Sequence, residues 1–261
     1  MRLHELINHK PTPAAFIATR RYFHQSEFLQ ATGATVHALK YHLTAGSIFS
    51  IRRGTYVSKF VHDHPDPFLL GSRLVSDLGA LGYLTALCFH LNIRTKQVTL
   101  ISGKKLPSFE YDGVTYRTVR EPRVLDSVRG LGDDVVTHLR EGLFIGVCSF
   151  ERAFVDCLHR LDLGPELGPL VELLRSRESF DVDAMIRHAL RLEDRVTAAR
   201  LGRVLLWHPK FHLRSPEVRE LLSYKPDSVA LMDPSVPFDE CVHDTWWRLR
   251  VPAALWYRYA T

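Results

Sequence analysis

The sequence of 261 residues lacks a long apolar run and lacks the common catalytic motifs. Nothing in it approaches the roughly 18 consecutive apolar residues that a membrane-spanning helix needs. The first ten residues are too polar for a signal peptide. We therefore expect a cytoplasmic protein with no membrane partner. Neither a G-x-S-x-G nor an H-E-x-x-H motif occurs, which gives no support to serine or zinc hydrolases.

The chain has only four cysteines, and their spacing matches no metal-binding motif. The four cysteines Cys88, Cys148, Cys157 and Cys241 lie far apart, form no C-x-x-C pair and stand among apolar neighbours. This pattern predicts buried free thiols in a reducing compartment rather than a disulfide framework or a zinc site.

Acidic residues are rare in the first sixty positions. Residues 1–60 contain eight Lys or Arg and two acids, Glu5 and Glu27, a net charge of +6. The other 201 residues contain 26 basic and 27 acidic side chains, a net charge of −1, which together give the +5 of the whole chain. A basic unit on a neutral body is typical of proteins that bind nucleic acid. The alternative is a chance cluster of surface charge.

The length exceeds that of one average domain, so we predict two. The composition, 46% hydrophobic and 24% charged, is that of a globular protein with a sizeable core. The run from His62 to Pro67 has two prolines and polar neighbours, which indicates a linker. We place the domains at 1–62 and 63–261. His62 and His64 could bind a metal there, but ligands this close in a proline-rich loop seldom form a closed site, so we predict none.

The first domain has residues typical of the starts and ends of three short helices. Pro11 and Pro13 suit a first helical turn, Ser26 can cap a second helix, and Thr35 can cap a third that Gly46 ends. The segment Thr32-Gly33-Ala34 between the second and third helices matches the turn of a helix-turn-helix.

Two β-prone runs follow, around the turn Arg53-Gly54, and predict a hairpin. Three helices followed by such a hairpin form the order of a winged helix-turn-helix, although such units also serve as protein adaptors. On the third helix Val36, Leu39 and Leu43 should face the core. The outward side has no acid, which favours contact with a polyanion. The predicted contacts to double-stranded DNA are Thr35, His37, Lys40, Tyr41, His42, Thr44, Arg52, Arg53 and Lys59.

The body has strands first and helices afterwards. Candidate strands lie at 97–102, 109–116, 135–139 and 143–148, with an Asp112-Gly113 turn typical of a hairpin. From Ser149 onwards the pattern is helical. The fold class is therefore α+β: an N-terminal winged helix-turn-helix and a larger mixed α+β C-terminal domain.

The body offers several weak candidates for chemistry. Ser102-Gly103-Lys104-Lys105 lacks the first glycine and the final Ser or Thr of a phosphate-binding loop, so we interpret it as a surface turn. Asp181 and Asp183 stand at a helix start, where they act as caps. One helix carries Glu151, Arg152, Asp156 and His159, which ion pairs and packing explain without catalysis. We predict no catalytic, cofactor or metal residues. The C-terminal aromatics, from Trp246 to Tyr259, could stack on nucleic acid or dock on the core.

Three segments resemble the AbiEi-like antitoxins and their relatives among transcriptional regulators. They are the hairpin stretch Gly46-Ser47-Ile48-Phe49 … Arg53-Gly54-Thr55-Tyr56, the helix Gly82–Leu91 followed by the strand Gln97–Leu100, and Phe150–Leu158, which is similar to "P-E-R-T-L-L-D-x-L". The sequence departs from the last motif at Phe150 and Ala153. The resemblance spans about residues 12–165.

The resemblance implies an N-terminal winged helix, repression of the protein's own promoter, no cofactor, and a neighbouring nucleotidyltransferase-like toxin. Together with the charge pattern, it leads us to expect a non-enzymatic transcriptional regulator, the antitoxin of a type IV toxin–antitoxin pair. The alternatives are a nucleotide- or nucleic-acid-processing enzyme with a winged-helix targeting unit, and an interaction protein that does not touch DNA.

Overall fold

A computed structural model describes residues 10–60, 65–75, 79–103, 106–125 and 134–259. The predicted α+β class is confirmed: a small N-terminal unit precedes a six-stranded sheet, a helical half and a three-stranded C-terminal sheet. No helix in these ranges combines the length and apolarity that crossing a bilayer requires.

The N-terminal unit, residues 10–60, combines three helices with an antiparallel sheet of order β1-β3-β2. Its elements are α1 (Pro13–Thr19), β1 (Tyr22–His24), α2 (Gln25–Thr32), α3 (Val36–Thr44), β2 (Ile48–Arg52) and β3 (Thr55–Ser58). Its core centres on Phe16, Phe23 and Phe28, whose rings lie 5.3–6.0 Å apart. The predicted hairpin is confirmed as the pair β2–β3.

Two details of this unit differ from the sequence interpretation. Helix α2 begins at Gln25 with His24 as its cap, because the Glu27 carboxylate accepts the His24 N–H at 2.6 Å, so the assignment of Ser26 as cap was wrong. Strand β1 was not predicted, since three residues are too short to show an alternating pattern.

The body is built on a six-stranded mixed sheet of order β6-β7-β5-β4-β9-β8. Its strands are β4 (Ala80–Leu81), β5 (Gln97–Ile101), β6 (Phe109–Tyr111), β7 (Val114–Val119), β8 (Val135–Arg140) and β9 (Leu143–Cys148). The predicted turn Asp112-Gly113 is present, and a second turn lies at Glu141-Gly142; both have positive φ at both residues, as a two-residue hairpin turn requires.

Helices cover the sheet and continue into the C-terminal half. They are α4 (Pro67–Leu74), α5 (Tyr83–His90), α6 (Phe150–His159), α7 (Leu167–Arg175), α8 (Val182–Arg191), α9 (Arg195–Leu206) and α10 (Pro216–Ser223). Helix α4 lies so close to the sheet that a Cβ on Gly71 would meet Val98 at 2.7 Å. The sequence pattern also favours a helix over 68–78; in the structure it ends at Leu74, and residues 76–78 lie outside the described ranges.

A small sheet of order β10-β12-β11 and a last helix end the chain. They are β10 (Ala230–Leu231), β11 (Cys241–Asp244), β12 (Leu249–Pro252) and α11 (Ala253–Tyr259). Before β12, Trp247 lies fully buried against Gly202 of α9. The expectation that the C-terminal segment docks on the core holds for Trp247.

The linker predicted at 62–67 is wrong in its last two residues. Residues 61–64, including the candidate metal ligands His62 and His64, lie outside the described ranges. Asp66 caps α4 by accepting from Phe68 N and Leu69 N, and it also accepts from Arg140 Nε at 2.6 Å. The Asp66 N–H donates to the Tyr22 hydroxyl at 2.8 Å. This last contact joins the N-terminal unit to the body.

Candidate nucleic-acid interface

Helix α3 presents a continuous polar side to solvent. His37, Lys40, Tyr41 and Thr44 recur at spacings of three and four, and all four are exposed, with Tyr41 at 69%. Leu39 lies on the opposite side and is buried in the small core. The residue that caps this helix, Thr35, is also exposed and makes no side-chain cap hydrogen bond. The helix therefore offers hydroxyl, imidazole and ammonium groups to a partner.

Cations around this helix lack anionic partners within the described residues. Lys40, Arg53 and Lys59 are exposed and form no ion pair there; the Lys59 ammonium lies 5.8 Å from the Phe60 ring. By contrast, Arg21 is paired with Glu141 of the body, and Glu27, an acid of the N-terminal unit, lies 3.7 Å from Arg73. Lys10 and Arg20 are likewise exposed without an ion pair among the described residues, so the unpaired cations of this unit include Lys40 on α3 and Arg53 at the hairpin turn but are not confined to them.

The two arginines of the β2–β3 hairpin differ in position. Arg53 is exposed at the turn, beside Gly54, whose φ is +79°. Arg52 turns towards the body, with its guanidinium carbon 5.7 Å from the centre of the Phe109 ring. The expectation that both reach outward from the hairpin is met by Arg53 and not by Arg52, because the aromatic face of β6 offers Arg52 a cation–π contact.

Two other residues of α3 also depart from their expected positions. Val36, expected in the core, is 41% exposed because it occupies the first helical position, beyond the small core. His42, predicted as a DNA contact, is half-buried with its ring 6.4 Å from that of Phe28 in an edge contact. Its Nδ1 is buried without a hydrogen-bond partner, so only part of the imidazole faces solvent.

Several ionisable side chains of the body form a buried network. Arg152 and Asp156 of α6 are each 2% exposed, with Arg152 Nε 3.4 Å from Asp156 Oδ2. The Arg152 guanidinium also donates to Glu121 at 2.6 Å, and His188 Nε2 lies 2.8 Å from Asp156 Oδ1. The other ring nitrogen of His188 lies 3.6 Å from Asp134.

The pKa shifts in this network arise because bonds between opposite charges outweigh the cost of burying them. Burial opposes charge on Asp156, but its bonds to His188 and Arg152 outweigh that cost and lower its pKa. Burial likewise opposes the imidazolium of His188, yet the carboxylates of Asp134 and Asp156 raise its pKa above the ordinary value. Arg152, Asp156 and His188 at the centre of the network are thus buried charges that satisfy one another, and Glu121 and Asp134 at its edge are partly exposed.

Sequence reasoning named Arg152 and Asp156 but missed Glu121, Asp134 and His188. His188 shares the buried side of α8 with Met185 and Ala189, and a histidine on an apolar stripe is the signal that could have found it. The fourth member of the sequence group, His159, lies apart and contacts Asp194 at 3.1 Å. Glu151 accepts from the Asp181 N–H instead.

The remaining sequence candidates have structural roles where they are described. Asp181 accepts from Ala184 N, which confirms it as a helix cap. All four cysteines are free and buried, as expected, and burial raises the pKa of Cys148 to about 12. No group of three or more His, Cys, Asp or Glu side chains that could hold a metal ion occurs among the described residues. Lys104 and Lys105 fall outside the described ranges.

The C-terminal aromatic residues do not form one surface. Trp247 and Tyr259 are buried, Trp256 is half-buried beside Arg203, and Trp246 and Tyr257 are exposed. Tyr259 donates its hydroxyl hydrogen to Glu172 at 2.6 Å. A row of stacking platforms, as a single strand of nucleic acid would use, is therefore absent from the described C-terminal segment.

Comparison with known proteins finds a likeness of fold. No family model matches the chain, and no curated protein matches it. Among solved structures, the chain is similar to the RV2827C protein from Mycobacterium tuberculosis, with a TM-score of 0.60 and 13% sequence identity. The likeness covers 95% of this chain and 93% of that one. At this identity it concerns the fold alone, which extends over nearly the whole of both chains.

Proposed function

We propose that the N-terminal unit is a winged helix-turn-helix and that the protein is a transcriptional regulator that binds double-stranded DNA. The observation that carries this proposal is the acid-free, exposed side of α3 with unpaired cations beside it. The order of elements supports it, since a turn at Gly33 separates α2 from α3 and a hairpin follows.

The two parts of the interface have different roles in this proposal. His37, Tyr41 and Thr44 on α3 contact base edges in the major groove, where hydrogen bonding distinguishes sequences. Lys40, Arg53 and Lys59 contact phosphates, which contributes affinity without sequence preference. Arg52, which packs on Phe109, and His42, which is half-buried, contribute less.

We further propose that the body is regulatory rather than catalytic. A catalytic carboxylate must reach its substrate, whereas Asp156 is enclosed and fully engaged by His188 and Arg152. The family resemblance of the segments at 46–56, 82–100 and 150–158 supports a cytoplasmic antitoxin that represses its own promoter and needs no cofactor. A nucleotidyltransferase-like toxin is then its functional antagonist.

The DNA-binding proposal is tested with the full chain, because Tyr22 and Val57 of the N-terminal unit belong to the main core. Fluorescence anisotropy with DNA from upstream of the protein's own reading frame should show affinity that falls steeply with salt, by about 0.9 log units in K per log unit of salt for each phosphate neutralised. A flat salt response would overturn the proposal.

Matched variants separate the two roles. Arg53→Ala should weaken binding to upstream and random DNA equally and reduce the salt slope by about 1, whereas Tyr41→Ala should mainly reduce the preference for upstream DNA. The control is Arg219→Ala, because Arg219 is exposed on α10 and has no ion pair among the described residues. It should leave the affinity and the preference for upstream DNA unchanged. If Arg53→Ala removes only the preference for upstream DNA, the assignment of base contacts to α3 and phosphate contacts to the hairpin is reversed.

The regulatory proposal has a separate test. Co-expression should restore the growth of cells that express a neighbouring nucleotidyltransferase gene, and the purified protein with Mg²⁺ or Mn²⁺ should not turn over nucleotides or nucleic acid. Turnover that Asp156→Ala abolishes without changing the melting temperature would favour an enzyme instead.

A further inference from the structure

Strand β8 lies at the edge of the six-stranded sheet with its outer side unpaired. Within the described residues it pairs only with β9, through six consecutive residue pairs without a bulge. Natural edge strands are usually blunted by lysine, proline, bulges or covering elements. The sequence of β8, Val-Val-Thr-His-Leu-Arg, contains neither lysine nor proline.

Apolar side chains are exposed on the same hairpin. Leu139 of β8 and Phe144 of β9 are cross-strand partners and are 68% and 72% exposed. Val136, on the opposite face of β8, is 47% exposed. An unpaired backbone edge and an apolar patch thus coincide, and a coincidence of this kind marks an interaction surface.

The free backbone groups of β8 belong to alternate residues. Asp134 O accepts from Ser149 N at 2.8 Å, so residue 134 points its backbone towards the strand that contains β9. Because direction alternates along an antiparallel strand, the N–H and C=O groups of Val135, Thr137 and Leu139 point away from β9.

We propose that this edge pairs with β8 of a second copy of the chain, antiparallel and centred on Thr137. In that register Thr137 faces its own copy and Val135 faces Leu139 of the second copy. Their outward groups form about six backbone hydrogen bonds across the two-fold axis.

The strand is self-complementary in this register, which is the reason for choosing a second copy over an unrelated peptide. The pairing places apolar Val135 beside apolar Leu139. Apolar pairs across strands stabilise pairing.

This inference rests on the proposed function only in its consequence for DNA. The β8–β9 turn is held to the N-terminal unit by the ion pair Arg21–Glu141. Because the pair has a two-fold axis, it carries two N-terminal units related by two-fold symmetry, as binding to two-fold symmetric DNA requires.

Sedimentation of the full chain without DNA tests the pairing. Because the interface is at the small end of specific interfaces, we expect the average mass to rise from the 29.9 kDa of the monomer towards twice that value between about 1 and 100 µM. Leu139→Lys combined with Phe144→Lys should remain monomeric with an unchanged circular dichroism spectrum. Tyr257→Lys, at a site that is 75% exposed, is the control and should still associate.

Disulfide trapping tests the register. Facing Thr137 residues have Cα atoms about 5.5 Å apart, within the range that a disulfide spans, so Thr137→Cys should oxidise to a covalent dimer. Leu139→Cys should not, since its copies lie about 13 Å apart along the strands. The native cysteines are buried and do not compete. A chain that stays monomeric, or a dimer that Leu139→Cys traps and Thr137→Cys does not, overturns the inference.

Different results would contradict the proposed function and the pairing of β8. A trapped dimer that does not bind DNA would contradict the proposed function and leave the pairing of β8 intact. DNA binding by a chain that is monomeric with and without DNA would contradict the pairing and leave the proposed function intact.

Discussion

At the scale of single residues, the sequence revealed which side chains carry charge but not which of them meet. Arg152 and Asp156 stand four apart on one helix, and that spacing predicted their ion pair. Glu121 lies 31 residues from Arg152, and His188 lies 32 residues from Asp156. At such separations the local sequence pattern does not indicate which side chains are in contact. The same limit explains Arg52, whose contact with Phe109 depends on how the hairpin lies on β6.

Removing the Asp156 carboxylate tests this network. Asp156→Ala leaves Arg152 and His188 buried without their shared anion, so it should lower the free energy of unfolding by about 3 kcal/mol or more. Asp183→Ala removes an exposed acid from the first turn of α8, the helix that carries His188, and should cost no more than about 0.5 kcal/mol. Urea unfolding at pH 6 measures both.

The loss at Asp156 should also depend on pH, in a direction set by His188. In the wild type the raised pKa of His188 gives stability that is complete below its ordinary value near 6.5 and is lost as the pH rises through the raised value. Without Asp156, burial disfavours the imidazolium. The difference between wild type and variant should therefore be larger at pH 5.5 than at pH 9; an equal difference at both would contradict a charged His188 in the native state.

At the scale of elements, turn chemistry and helix caps were predicted best. Asp112-Gly113, Ser149 and Asp181 each fix a local conformation through their own backbone or side chain, and each was predicted correctly. The strands β1 and β4 were missed, because two or three residues become a strand only when a distant partner pairs with them. The C-terminal sheet was also missed; its strands are two to four residues long.

Gly202 of α9 tests how tightly the C-terminal segment is docked. A Cβ there would lie 2.0 Å from Cη2 of the buried Trp247, so Gly202→Ala should lower the free energy of unfolding by about 1–3 kcal/mol through overpacking. Gly168→Ala in α7 is the control, because its Cβ would meet Leu255 at an ordinary 3.4 Å. The control should be neutral or stabilising by up to about 1 kcal/mol, and thermal unfolding distinguishes the two.

At the scale of the whole molecule, the charge pattern predicted a separate basic unit, whereas packing joins that unit to the body. Tyr22 and Val57 belong to the main hydrophobic core although they lie before the expected boundary. Net charge depends only on composition. A shared core depends instead on which faces remain apolar after each unit has folded. The short strands β1 and β3 did not indicate from their sequence that one of their faces packs against the body. The division at 62 and 63 stays a prediction.

The last prediction concerns Asp66, where the two parts are joined. Asp66→Ala removes the cap of α4 and the half-buried ion pair with Arg140, so we expect a loss of about 2 kcal/mol. The loss should be accompanied by faster hydrogen exchange in β1 and β3, because the contact to Tyr22 is weakened. Asp227→Ala removes an ion pair of similar length, 2.8 Å to Arg195, from an exposed site and should change neither quantity by a measurable amount. If Asp66→Ala left exchange in β1 and β3 unchanged, the N-terminal unit would be stable without this junction, and a flexible connection between two independent domains would describe the molecule better.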